Sequence, residues 1–206
     1  MTKLDELKKY LRPGRVYQRK DLARRSNAVD RHLTQLLSDG TLTKLSPGLY
    51  SCPKQTAFGK APPDDATLVK AFLNDHRFLL LSPNAYNGLG MGTTQLYDKT
   101  VVYNRKRRGN LTLGGRRFEF RVKSSFPKML SSEFLLVDLI NNLDRLAESK
   151  KEVLAHVRER ITSFDVPRLR RAARGYGSVR TKKFLFAALK AHTASCAAPR
   201  NRAGRT

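Results

Sequence analysis

The spacing of apolar residues and turn formers over the first fifty positions constrains the fold of this chain most strongly. Leu4, Leu7 and Leu11 recur at helical spacing, and Pro13-Gly14 ends the segment. One amphipathic face with a turn signal behind it predicts a helix over residues 2–12.

Two further helices and a hairpin are predicted behind this first helix. The helices cover residues 18–24 and 27–38, and Ser26 precedes the second of them as a suitable N-cap. Short strands within residues 41–51 flank Ser46-Pro47-Gly48, which has the composition of a tight turn. Three helices followed by a hairpin is the layout of a winged helix-turn-helix, whose last helix before the hairpin enters the DNA major groove.

The third predicted helix has two faces of different chemistry. Its apolar stripe consists of Val29, Leu33, Leu36 and Leu37. Its polar face consists of Asn27, Arg31, Thr34, Gln35 and Ser38. Asn and Gln pair well with adenine, Arg pairs with guanine, and Ser or Thr bind bases or phosphates. The same face is also compatible with a plain solvated helix.

Basic residues around this helix extend the predicted DNA-binding surface. Ten residues form the predicted DNA-binding set: Arg19, Lys20, Arg24, Arg25, Ser26, Asn27, Arg31, Thr34, Gln35 and Lys44. Asp30 is left out, because a carboxylate here repels phosphates unless it pairs with Arg31 or Arg25 or accepts from a cytosine amine.

A change of pattern after residue 53 predicts a second domain. Residues 1–53 form the first domain, and the polar, proline-containing segment 54–65 is predicted to be a linker. Residues 66–193 form the second domain, and residues 194–206, rich in Ala, Arg, Pro and Gly, are predicted to be a disordered basic tail.

The second domain is predicted to mix strands and helices. Short β-branched runs at 100–103, 111–113 and 118–122 indicate an antiparallel meander. Leucine spacing predicts a helix over 132–146, and a last helix is predicted over 179–191. The predicted fold class is therefore α+β, a winged helix-turn-helix followed by a mixed α/β domain with several helices.

Net charge points to a polyanionic partner. The chain has 206 residues, with 41 Lys and Arg against 17 Asp and Glu, for a formal charge of +24. The excess is +8 over residues 1–60, +5 over 61–147 and +11 over 148–206, so a basic tail alone does not account for it. Nucleic acid is favoured over anionic lipid, because no basic amphipathic helix has an aromatic-rich apolar face. The absence of an apolar run of membrane-spanning length and of a signal sequence predicts a cytoplasmic protein without a membrane partner.

Two basic clusters outside the first domain are candidates for a partner site or a second nucleic-acid surface. The residues are Arg105, Lys106, Arg107, Arg108, Tyr176, Arg180, Lys182 and Lys183. The alternatives are a solvated hairpin loop for the first four and a helix–helix turn with Tyr176 packed down for the others.

The sequence contains no recognisable pattern of catalytic or metal-binding residues. The four histidines lack neighbours at metal-ligand spacing, and Cys52 and Cys196 are 144 positions apart. The glycine-rich segment 88–92 lacks the spacing of a dinucleotide or phosphate loop, and no nuclease pattern of carboxylates is present. We therefore predict no catalytic residue, no metal and no cofactor.

Several segments resemble one family. Residues 16–24, 29–37, 40–42 and 45–50, which end in Leu-Ser-Pro-Gly-Leu-Tyr, resemble the N-terminal winged domain of AbiEi-type antitoxins. Residues 82–89, 93–95, 101–103 and 172–184 resemble the second domain of relatives of that family. These antitoxins are the repressor halves of type IV abortive-infection toxin–antitoxin systems.

The resemblance implies a function. It implies a sequence-specific repressor that binds double-stranded DNA at its own promoter, and a C-terminal domain that counteracts a nucleotidyltransferase-like toxin. Two alternatives stay open, a stand-alone winged-helix regulator and a nucleic-acid-processing enzyme. The operator sequence, the mechanism of neutralisation and the oligomeric state are left undetermined by the sequence.

Overall fold

The computed structural model describes residues 2–197, with side chains through residue 192, and it is a mixed α+β protein. Its contacts divide the chain into two compact units. The first unit contains residues 2–80 and 98–124, and the second contains residues 81–97 and 125–197. The predicted division at residues 54–65 is therefore not where the units separate.

The first unit, over its described residues, has four α-helices. They are α1 (Lys3–Tyr10), α2 (Arg19–Ala23), α3 (Val29–Ser38) and α4 (Asp65–Leu73). Thr2 and Asp5 form a reciprocal capping box at the start of α1. Asp64 caps α4 by accepting from the Thr67 backbone N–H at 2.8 Å, and α4 ends at Asn74 in the left-handed region.

Nine strands form three sheets within residues 2–197. The strands are β1 (Val16–Gln18), β2 (Thr43–Ser46), β3 (Leu49–Ser51), β4 (Lys54–Thr56), β5 (Gly59–Ala61), β6 (Phe78–Leu81), β7 (Thr100–Asn104), β8 (Gly109–Leu113) and β9 (Arg116–Val122). The sheet orders are β1-β3-β2, β4-β5 and β6-β7-β9-β8. The predicted strands of the first fifty residues and of segment 100–122 are thus present, with one difference in pairing described below.

Strand β3 explains why the first unit extends beyond residue 53. Tyr50 belongs to an apolar cluster with Leu7, Leu22, Leu36 and other residues of the first three helices. Its neighbour Leu49 belongs to a second cluster, whose other members are Leu68, Val69, Leu73, Val102, Leu113, Phe118 and Phe120. Because adjacent residues of a strand face opposite sides, β3 packs against both clusters at once.

Segment 54–65 is not an irregular linker. Lys54 pairs with Ala61 and Thr56 with Gly59, so β4 and β5 form a two-stranded antiparallel hairpin. Asp64 and Asp65 then begin α4. The polar composition that suggested a linker reflects the exposure of both hairpin strands, in which only Gly59 and Ala61 are partly covered.

The strands of segment 100–122 do not form the predicted antiparallel meander. Strands β8 and β9 form a hairpin, but β9 lies between β7 and β8 and runs parallel to β7, with Val102 opposite Phe120. Two positive-φ residues, Gly114 and Gly115, make the β8–β9 turn. Because β8 pairs with one edge of β9 in this hairpin, β7 pairs with the other edge. The connection between β7 and β8, residues 105–108, therefore crosses the end of β9.

Buried Asn104 stabilises this crossing. Its side chain is only 1% exposed. Its Oδ1 accepts from the backbone N–H groups of Lys106 at 2.8 Å and Arg107 at 2.6 Å, and its Nδ2 donates to the carbonyl of Arg107 at 2.9 Å. Weaker contacts of Nδ2 reach the carbonyls of Val102 and Arg121. One amide thus joins β7, β9 and the connection.

The second unit is helical. Its α-helices are α5 (Ser132–Asn142), α6 (Lys150–Arg160), α7 (Val166–Tyr176) and α8 (Val179–Ala197), with 3-10 helices at Pro83–Leu89, Leu143–Arg145 and Ile161–Ser163. Inside it, Tyr86 Oη donates to Oδ2 of the buried Asp138 at 2.8 Å. The predicted helix over 132–146 ends at Asn142 and continues as a 3-10 turn.

The last helix runs further than predicted. It was expected to end at residue 191 and to give way to a disordered tail at 194, but α8 continues to Ala197. Alanine is the strongest helix former, so an Ala-rich sequence extends the helix where its composition suggested disorder. The rest of the predicted tail, residues 198–206, lies outside the described residues. Among the described helices, none combines the length and apolarity needed to cross a membrane.

We predict that Asn104→Ala lowers the free energy of unfolding by about 2 kcal/mol, because buried backbone donors lose their acceptor. Urea denaturation followed by circular dichroism measures the change. Asn110→Ala, at an exposed position of β8, is the matched control and should change stability by less than about 0.5 kcal/mol. Equal effects of the two variants would contradict the role given to Asn104.

Candidate nucleic-acid interface

Helix α3 presents the predicted polar face to solvent. Val29, Leu33 and Leu36 are buried in the cluster around the first three helices, and Leu37 packs against it while partly exposed. The side chains on the other face are all exposed: Arg31, Thr34, Gln35 and Ser38, with Asn27 just before the helix. Thr34 Oγ1 donates to the Asp30 carbonyl at 3.0 Å. The amide groups of Asn27 and Gln35 have no hydrogen-bond partner among the described residues.

Ser26 is not part of this exposed surface. The helix begins at Val29 with Ala28 as its N-cap and has no side-chain cap. Ser26 is buried, its Oγ accepts from the Ala28 N–H at 3.2 Å, and it shares a hydrogen bond of 2.7 Å with Nδ1 of buried His32. Ser26 therefore fixes the turn before α3 from inside, and its buried side chain is not part of the exposed surface predicted to bind DNA.

His32 lies in the core on the apolar side of α3, a position that was not predicted for it. Its position fits the apolar stripe, being next to Val29 and Leu33 on the helix, but its ring was not assigned to the core. The ring is 5% exposed. Helical spacing from Val29 and Leu36 was the signal that could have identified it as buried.

Arg19 and Asp30 form a bidentate ion pair between α2 and α3. Arg19 Nε donates to Oδ1 at 2.8 Å and Nη2 donates to Oδ2 at 2.5 Å. These hydrogen bonds hold the pKa of Asp30 below its usual value and raise the pKa of Arg19. The expected partners Arg31 and Arg25 are not the ones used. Arg19 offsets the carboxylate charge next to the exposed face of α3 and links the two helices at the surface.

Other basic residues of the predicted set are exposed near these helices. Lys20, Arg24, Arg31 and Lys44 are exposed and have no ion-pair partner in the described part of the chain. The Arg25 guanidinium lies 4.6 Å from the centre of the Tyr10 ring, a cation–π contact that keeps its N–H groups accessible. These side chains can bind phosphates without first breaking an ion pair.

The turn of the β2–β3 hairpin is packed rather than free. The Arg19 N–H donates to the Gly48 carbonyl at 2.8 Å, and the Gly114 N–H donates to the Leu45 carbonyl at 2.9 Å. Lys44 lies nearer the other end of β2 and stays exposed. The chain offers a different exposed hairpin, β4–β5, immediately after this one.

The first of the two additional basic clusters, residues 105–108, belongs to the first unit. Two of its four side chains contact other residues of that unit. Lys106 Nζ pairs with Asp75 at 3.2 Å and donates to the Asn74 carbonyl at 3.2 Å. The Arg107 guanidinium lies 5.1 Å from the centre of the Phe72 ring. These two residues attach the connection to the end of α4, whereas Arg105 and Arg108 are exposed and have no partner among the described residues.

The second cluster belongs to the second unit. Tyr176 is packed down, as in the alternative considered from sequence, with its ring edge-to-face on Phe134 at 5.3 Å. Its carbonyl accepts from Asn141 Nδ2 at 3.0 Å. Arg180 and Lys183 are exposed and Lys182 is half-buried. The structure therefore assigns the two clusters to different units and packs the half-buried Tyr176 ring against Phe134.

Three features of the described residues bear on metal binding, thiol reactivity and the glycine-rich segment. No cluster of three or more His, Cys, Asp or Glu there could hold a metal. Burial raises the pKa of the Cys52 thiol, which disfavours the nucleophilic thiolate. In the glycine-rich segment of the second unit, Gly90 and Gly92 have positive φ and lie against the side chains of Arg160 and His156 of α6. These glycines serve close packing of the segment on a helix.

Comparison with known proteins finds a solved structure with a similar fold but identifies no family. No protein-family model matches the chain, and no curated protein matches it significantly. The crystal structure of the Rv2827c protein from Mycobacterium tuberculosis is similar, with a TM-score of 0.55 and 15% sequence identity. The match covers 91% of this chain and 74% of that protein. At this identity the similarity shows a shared fold.

We predict that Ser26→Ala lowers the free energy of unfolding by about 1–3 kcal/mol, because it leaves buried Nδ1 of His32 without a partner. Chemical denaturation provides the measurement. The control is Ser38→Ala at the exposed end of α3, where Oγ donates only to the Gln35 carbonyl at 2.9 Å. If Ser38→Ala destabilises as much as Ser26→Ala, the buried pair is not what secures the start of α3.

Proposed function

We propose that this protein is a DNA-binding repressor whose first unit contains a winged helix-turn-helix, with α3 in the major groove of double-stranded DNA. The observation that carries the proposal is the exposed face of α3. Arg31 and Gln35 on this face and Asn27 just before the helix, unpaired within the described residues, are the residue types that bind base edges in pairs of hydrogen bonds. The opposite face of the same helix is fully used by the core.

Phosphate binding is supported by the cations around α3. Lys20 and Arg24 lie on or just behind α2, and Lys44 lies on β2. All three are exposed, and contacts of this type fix orientation on the duplex without reading sequence. Pairing of Asp30 with Arg19 removes the main repulsive group from the same surface.

The antitoxin part of the proposal rests on the resemblance of the sequence to AbiEi-type antitoxins. The second unit contains most of the segments that resemble the second domain of that family, including 82–89 and 172–184. We assign to it the neutralisation of a nucleotidyltransferase-like toxin encoded beside this gene. Its exposed Arg180 and Lys183 are suited to an acidic protein surface or to a nucleic acid on which the toxin acts.

We expect the double variant Asn27→Ala/Arg31→Ala to lose sequence preference. Fluorescence polarisation compares DNA from upstream of the reading frame with scrambled DNA at several salt concentrations. The wild type should prefer the native DNA at least about tenfold, and the variant should bind both alike, because two base contacts contribute about 2–6 kcal/mol.

The matched control is Asn110→Ala/Arg117→Ala, which removes the same residue types from exposed positions of β8 and β9. It lowers net charge equally and should keep the preference. Equal binding of both DNAs by the wild type, with a steep salt dependence, would contradict sequence-specific recognition and indicate binding by charge alone.

The antitoxin role is tested by growth. Expression of a neighbouring nucleotidyltransferase-like gene should arrest growth, and coexpression of this protein from an independent promoter should restore it. Asn27→Ala/Arg31→Ala should restore growth equally well, because neutralisation is assigned to the second unit. Failure of the wild type to restore growth would refute the antitoxin role and leave a stand-alone regulator.

A further inference from the structure

The β4–β5 hairpin carries a fully exposed aromatic side chain at its tip. Thr56 and Gly59 pair at the end of the ladder, so Ala57 and Phe58 form the turn. Phe58 has a relative exposure of 103%, which means that no other described residue covers its ring. The turn itself is well defined, since Gly59 has a φ of +103° and its carbonyl accepts from Thr56 Oγ1 at 2.7 Å.

One hydrogen bond attaches this hairpin to the end of α3. Lys60 Nζ donates to the Gly40 carbonyl at 2.8 Å, two residues after the last residue of the helix. Gly40 has a φ of +72°, a conformation that favours glycine, and Lys60 Nζ lies close to it. The hairpin is therefore held beside the helix that the proposed function places in the major groove.

The chemistry of the hairpin suits nucleic acid better than a protein surface. Phe58 is the one large apolar residue within segment 54–61, and its neighbours include Lys54, Gln55 and Lys60 with no acidic residue. A protein-docking site generally needs a contiguous apolar patch, which one phenyl ring on a polar hairpin does not supply. A single apolar ring at the tip of a hairpin that carries Lys54 and Lys60 and no acidic residue matches the wedges that enter the DNA minor groove between base steps.

We propose that Phe58 inserts between base pairs of the DNA bound by α3, while Lys54, at the other end of the hairpin, contacts the phosphate backbone. This inference rests on the proposed function, because it requires that the first unit bind duplex DNA. It adds a second contact outside the major groove. Insertion is easiest at flexible pyrimidine–purine steps, so the hairpin would favour DNA with such a step beside the site read by α3.

The chain contains no tryptophan, which makes a direct test available. Phe58→Trp introduces a single indole at the hairpin tip, and its fluorescence reports stacking on bases. We expect strong quenching when a short mixed-sequence duplex binds. Heparin, a polyanion without bases, should bind by charge and leave the emission unchanged. Leu111→Trp, at a partly exposed position on β8 in the same unit, is the matched control and should not be quenched by either ligand.

The companion variant is Phe58→Ala. Loss of base stacking should weaken binding of the duplex by about tenfold. The dependence of binding on salt should not change, because no charge is removed. Circular dichroism verifies that both Phe58 variants are folded, which the exposure of this position leads us to expect.

The outcomes separate this inference from the proposed function. Polarisation could show that duplex is bound while the emission of Phe58→Trp and the affinity of Phe58→Ala are unchanged. That result would refute insertion and favour a protein partner for the hairpin tip. If the wild type binds no duplex at all, both proposals fail. Quenching by DNA but not by heparin, with weakened binding of Phe58→Ala, supports insertion.

Discussion

Strand β3 is the element on which the first unit depends. Only three residues long, it is buried at every position and lies centrally in its sheet, between β1 and β2. Leu49 packs with α4 and the four-stranded sheet, and Tyr50 packs with the first three helices. Alternation along a strand thus joins two apolar clusters into one unit.

The surface around α3 is organised by polar contacts that leave its outward face unused. Ser26 and His32 hold the turn before the helix from within, and Arg19 holds Asp30 from α2. Neither contact involves Asn27, Arg31 or Gln35. A rigid helix with unpaired polar groups meets the main requirement for recognition, since little side-chain or backbone order has to be created on binding.

The charged side chains of this protein have two different roles. Part of it is structural, as in the ion pair of Lys106 with Asp75 and in Glu119, where the hydrogen bond from Arg121 holds the pKa at about 2 despite partial burial. Another part, including Lys20, Arg24 and Arg31, is exposed and unpaired within the described residues. Net charge alone does not distinguish these roles. These three residues lie on or next to α2 and α3, whereas other exposed cations, such as Arg105 and Arg180, lie elsewhere in the chain.

Local sequence determined the helices, most strands and the faces of α3, because 3.6-residue and two-residue periodicities and turn formers act over a few positions. It also identified the residue types on the exposed face. Tertiary structure decided what depends on distant partners. Burial of Ser26 requires His32, the pairing of Asp30 requires Arg19, and the parallel β7–β9 pair requires Asn104 to fix a crossing connection. The unit boundary likewise depends on packing of Leu49 with Leu68 and Val102. These residues are far apart in the sequence, so no local pattern predicts their contact.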